Sequence, residues 1–113
     1  MNLFEIVYKN GSVHILAENK EEAYAKFFKM IVDHEISLDD IGHVIILKED
    51  GKEYPFRTVP TLYNLGIMDR RTAVVNLSSL LGIPLQMSDK LLFISSEEDK
   101  WVADKVKEMG RND

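Results

Sequence analysis

Two dipeptides, Asn10-Gly11 and Asp50-Gly51, constrain this chain more than anything else in it. Each falls between runs in which apolar and polar residues alternate, the strongest short-range signal for a two-residue β-hairpin. Residues 3–9 and 12–17 read as the first strand pair. Phe4, Ile6 and Tyr8 alternate with Glu5, Val7 and Lys9, and Val13, Ile15 and Ala17 alternate with Ser12, His14 and Leu16, so one face is built for a core. The second pair is 43–49 with 52–56. Val44-Ile45-Ile46-Leu47 predicts a strand buried away from solvent, whereas Pro55 removes a ladder donor and predicts an edge. Consecutive hairpins predict an antiparallel sheet.

Helical signals fill the rest. Asn19 with Glu22 is a variant capping box, and Tyr24, Phe27, Phe28 and Ile31 follow at helical spacing, predicting a helix over about 20–34 that lies on the sheet. Residues 37–40 suit one further turn. Thr58 is expected to cap a helix whose first turn holds Pro60 and which Gly66-Ile67 ends. Asp69 caps the next, which Gly82-Ile83-Pro84 ends in the same way. Residues 91–94 read as a short fifth strand, with the alternative that the C-terminal half is simply helical. Ser95 with Glu98 forms a capping box for a last helix through Met109. The expected order is ββαββααβα, an α+β domain over 1–113, its antiparallel sheet of four or five strands carrying helices mainly on one face.

Bulk properties close off several kinds of chemistry. The chain has 113 residues and no cysteine, which excludes disulfides, thiolate nucleophiles and Cys-ligated metal. No apolar run reaches the roughly 18–20 residues a membrane span requires, and Met1-Asn2-Leu3-Phe4-Glu5 has no signal-peptide pattern. A cytoplasmic setting is expected. Fourteen basic against nineteen acidic residues leave a net charge of −5, which works against broad nucleic-acid binding. The glycines sit at turns and helix ends, outside any phosphate-cradling motif, so no cofactor is expected.

Four local features bear on function. Ser78-Ser79 lies inside a helix without a nucleophile turn, and His14, His34 and His43 fall on separate elements. Asp33, His34, Glu35, Asp39, Asp40 and His43 hold metal-type side chains, and a small metal-dependent hydrolase or nuclease using this 33–43 cluster is one alternative. Segment 58–82 resembles a helix-turn-helix, with Arg70, Arg71, Thr72 and Asn76 toward a DNA groove. Its negative surroundings oppose that second alternative. Arg57, Arg70 and Arg71 also gather near two helix starts, a physically sensible place to meet an anion or acidic partner.

The run from Thr72 to Ile83, followed by Leu85-Gln86, resembles the helix-to-strand step of small viral anti-CRISPR ring nucleases. The resemblance spans about two dozen residues. That family carries an active-site Gly-His just before the helix; Asp69-Arg70-Arg71 stands here instead, so no catalytic role carries over.

The expected function is therefore binding or regulation through protein–protein contact or homodimerisation, without catalytic or metal residues. Arg57, Arg70 and Arg71 supply charge complementarity, and Tyr54, Phe56, Tyr63 and Trp101 supply anchor area. An edge strand could also pair with its own copy and extend the sheet. A small acidic accessory protein, of phage or mobile-element type, has this make-up.

Overall fold

The computed structural model describes residues 1–110. Its four strands are β1 (Asn2–Tyr8), β2 (Gly11–Ala17), β3 (Val44–Glu49) and β4 (Lys52–Arg57), and its helices are α1 (Lys20–Val32), α2 (Val59–Asn64), α3 (Arg70–Leu81), α4 (Leu85–Glu98) and α5 (Lys100–Gly110). A single 3₁₀ turn, Leu38–Asp40, precedes β3. The sheet is antiparallel in the order β2-β1-β3-β4. Since β2 and β3 both oppose β1, they run parallel to each other, and α1 carries the chain between them. The α+β class stands, with helices packed on one face.

Alternation decides which face that is. Phe4, Ile6, Ile15, Ala17, Ile45 and Leu47 turn inward against Tyr24, Phe27, Phe28 and Ile31 of α1 and Val102 and Val106 of α5, all buried. The opposite face is open. It carries Leu3, Leu16 and Val44, exposed, and the cross-strand pairs His14–Glu5 at 3.8 Å and Lys48–Glu53 at 3.6 Å. The Val44–Leu47 run is thus only half interior, since period 2 sends Val44 and Ile46 outward.

The first hairpin turns one residue earlier than its sequence suggests. Tyr8 pairs with Gly11, so Lys9-Asn10 is the connection, and neither residue has a positive φ. The 38–42 loop braces this turn: Lys9 and Asn10 donate their amides to the Ile41 and Asp40 carbonyls, each at 3.0 Å. Gly11 leaves room for the Tyr8 ring, since a Cβ there would stand 2.9 Å from the Tyr8 hydroxyl oxygen and would displace it. The second hairpin behaves as expected, with Asp50 at φ 50° and Gly51 at φ 80°, the paired left-handed geometry of a type I′ turn.

The C-terminal half departs most from the sequence reading. Residues 91–94 lie inside α4, so no fifth strand forms, and the order is ββαββαααα. Ser95 is buried in the last turn of α4 with its carbonyl accepting the Asp99 amide at 3.0 Å, so it does not open a helix. The last helix begins five residues later, at Lys100. Thr58 likewise precedes α2 without a side-chain cap; its hydroxyl donates instead to the Gly42 carbonyl at 2.8 Å. Asp69 and Asn19 do cap α3 and α1, accepting the amides of Thr72 at 2.7 Å and Glu22 at 2.8 Å. Gly66 ends α2 as expected: Gly66 and Ile67 donate to the Tyr63 and Leu62 carbonyls, the paired bonds of a Schellman motif.

Helices α3 and α4, joined through Gly82–Pro84, pack on each other apart from the main core. A smaller buried cluster, Val59, Ala73, Leu77 and Leu92, joins the pair to α2. Among the described residues no helix is long and apolar enough to cross a membrane.

Candidate interaction surface

The residues expected to bind a partner fall into two groups. The first lies at β4 and the start of α5. Thr58 donates its amide to the His43 carbonyl at 3.0 Å, which sets the ladder phase. Ile46–Pro55 is therefore a non-hydrogen-bonded pair, where the missing Pro55 donor would have faced outward. β4 is an edge, as expected, with a blunted rim. Tyr54 and Phe56 face the helices and are half-buried. Phe56 stacks on Tyr24 with ring centroids 4.3 Å apart and meets Trp101 edge-on at 6.3 Å. Lys20 places its ammonium 3.8 Å from the Tyr54 ring centre. These aromatics close the end of the core and leave Trp101 as the exposed one, at 40%.

Arg57, on the open side of β4, lines a shallow depression with Pro55, Ser95, Glu98 and Asp99. Burial pushes the Asp99 carboxyl up to about 6, and Glu98 adds to the shift while Arg57 opposes it. Tyr24, pushed up to about 12 by burial and then by Asp99 and Tyr54, donates its hydroxyl to the Tyr54 carbonyl at 3.4 Å.

The second group surrounds α4. Arg70 meets Asp89 as a fork, Nε to Oδ1 and Nη2 to Oδ2, each 2.9 Å. Tyr63, Asn64, Phe93 and Glu97 line the groove on one side of this pair, and Arg71, Val75, Leu85 and Gln86 line its continuation on the other. Arg71 is exposed. Arg70 is not an unoccupied anion receptor, because its fork already holds a carboxylate.

Phe93 belongs to this surface and escaped the sequence reading, which placed it in a strand. Once α4 is a helix, the pattern is unusual. Ser88, Leu92, Ser95 and Ser96 are its buried side chains, whereas Phe93, Met87, Leu85 and Ile94 are 64%, 56%, 55% and 54% exposed. The small serines let α4 lie close to its neighbours: Ser88 donates to the Val74 carbonyl, and the Ser96 carbonyl accepts from Asn64 at 2.7 Å. The available signal was the run of large apolar residues from Leu85 to Ile94 set against serines at helical spacing.

The side chains of the 33–43 cluster do not gather into one site. Asp33 is held by Lys29 at 2.8 Å and Asp40 accepts from Asn10 at 3.1 Å; among the described residues no three His, Cys, Asp or Glu side chains come together to hold a metal ion. In segment 58–82, α2 has only six residues, and Asn76 turns inward to the Met68 sulfur at 3.7 Å. Leu85-Gln86 opens a helix, so the helix-to-strand step suggested by the ring-nuclease resemblance is absent. No family model, no curated protein and no solved structure matches the chain.

Proposed function

We propose that this chain is a non-catalytic binding module that engages another protein through the groove between α4 and the α2–α3 pair. The observation that carries this reading is Phe93, 64% exposed in a groove crossed by the Arg70–Asp89 ion pair. A large aromatic beside a charged fork is the composition of an interface anchor, since Trp, Tyr and Arg dominate binding energy and Phe is enriched at interface cores. Tyr63 supplies a second ring in the same groove. The exposed run of α3 offers Arg71 with Thr72, Val75 and Ser79, one cation where duplex binding relies on several phosphate contacts. That favours a protein partner over DNA.

Affinity capture from the source cells tests the reading. A specific chain is expected to be retained by the wild type, to be lost with Phe93→Asp and to be weakened by Arg70→Glu, with melting temperatures close to that of the wild type. Retention unchanged by Phe93→Asp, or salt-sensitive binding to duplex DNA in its place, would overturn it.

A further inference from the structure

The flank of α4 turned away from that groove is exposed among the described residues. Met87, Leu91 and Ile94 stand at i, i+4 and i+7, one line along the helix. Met87 and Ile94 are more than half exposed and Leu91 is intermediate. One turn beyond Ile94, the same line reaches Glu98, also exposed.

The charges on α4 run against its own dipole. Its first turn has no acidic residue and Pro84 offers no side-chain cap, while the last turn has no basic residue and the helix runs out through Glu97, Glu98 and Asp99. Negative charge belongs at a helix N-terminus, where amides are unsatisfied, and is unfavourable at the C-terminus. Within one copy those acids are answered by the start of α5, which begins at Lys100 and whose Val102 amide donates to the Asp99 carbonyl at 3.2 Å, whereas the start of α4 has neither an acidic first turn nor a side-chain cap. Two α4 helices laid antiparallel supply what that start lacks, because each acidic end then lies beside the other's uncapped beginning. The complementarity suits a second copy, since one element supplies both the acidic end and the uncapped start.

We infer that the protein self-associates by antiparallel pairing of α4 with α4 of a second copy, about a twofold axis at Leu91. Met87 of each copy then packs near Ile94 of the other, and Glu98 lies against the Pro84-Leu85 start. Such an isologous contact closes on itself. It also avoids the β4 edge, where Pro55 interrupts strand pairing. The apolar seam is short, so dissociation constants of roughly 1–100 μM are expected, at the weak end of specific interfaces. This pairing is independent of the Phe93 groove.

Sedimentation equilibrium of the full chain tests it, from a few micromolar to several hundred micromolar. A monomer–dimer equilibrium is expected, and Met87→Glu with Ile94→Glu should weaken it at least tenfold at unchanged circular dichroism. Glu98→Gln separates the charge contact from the apolar seam: it should weaken the dimer several-fold at unchanged circular dichroism. Because the chain has no cysteine, Leu91→Cys should cross-link to itself on mild oxidation. Met87→Cys should not, since its symmetry mate is displaced by about eight residues, roughly 12 Å along the axis. A monomer at every concentration, a dimer indifferent to the Met87 and Ile94 changes, or equal cross-linking at 87 and 91 would each overturn the inference. Phe93→Asp should leave the dimer intact, so loss of partner capture and loss of self-association are read separately.

Discussion

Asp99 stands where α4 gives way to α5, and burial there opposes its charge. Its carboxyl, near 3.8 in the unfolded chain, is pushed up to about 6 in the folded protein. A carboxyl raised in this way holds its proton more tightly when folded, so its contribution is most favourable below about pH 4. Stability falls as pH rises through the window from roughly 4 to 6, where the unfolded chain has already ionised, and the full penalty remains above it. Asp99→Asn keeps the shape and removes the charge. It is expected to stabilise the protein at pH 7 by on the order of 1 kcal/mol, after allowance for solvent screening of a half-buried group. The gain should fade as pH approaches 4. Urea midpoints at pH 7 and pH 4.5 check this, and a gain equal at both values would show that ionisation is not its source. Nothing local in Ser96-Glu97-Glu98-Asp99 reveals the shift. It arises because α4 and α5 bring the carboxyl against the end of β4.

At the scale of elements, α2 shows how similar residues take different roles. Thr58 and Thr61 are both fully buried. The Thr58 hydroxyl ties the start of α2 to the Gly42 carbonyl, whereas the Thr61 hydroxyl has no protein partner among the described residues. A buried hydroxyl without a partner carries its desolvation cost, and an apolar group of similar shape does not. Thr61→Val is therefore expected to stabilise by about 1 kcal/mol, and Thr58→Val to destabilise by a similar amount. Chemical denaturation of the two variants beside wild type decides it, and the same sign for both would refute the assignment. Element identity was legible where local patterns were unambiguous: the alternation of β1 and β2, the Asp50-Gly51 turn, and the Asn19 and Asp69 caps. It failed at α4, because Leu91-Leu92-Phe93-Ile94 reads as a strand by local preference alone. Helical hydrogen bonding and close packing through Ser88, Ser95 and Ser96 overrule that preference.

For the whole molecule, the core is divided into two clusters, and the order of unfolding is expected to follow that division. The sheet, α1 and α5 share the large aromatic cluster, whereas α3 and α4 share with α2 a smaller apolar cluster of Val59, Ala73, Leu77 and Leu92. Local stability follows buried contact. Amide exchange is expected to open α3 and α4 at lower free energy than β1, β3 and α1. Leu77→Ala, a deletion that costs roughly 2–5 kcal/mol in a well-packed site, should release the α3–α4 pair while protection in β1 persists. Equal loss of protection in β1 would mean that the two clusters unfold as one.

Sequence by itself determined an antiparallel sheet from two hairpins, the face of that sheet that takes helices, and Pro55 at an edge. These follow from contacts between near neighbours, where backbone preference and hydrophobic period agree. Tertiary structure alone decided the strand order, the closure of Arg70 on Asp89, the half-burial of Tyr54 and Phe56, and the outward turn of Phe93, Met87 and Ile94. Each depends on which surface, distant in sequence, packs against a side chain. For α4, close approach of its neighbours favours serine inside and leaves the large residues facing out, the reverse of what composition alone suggests.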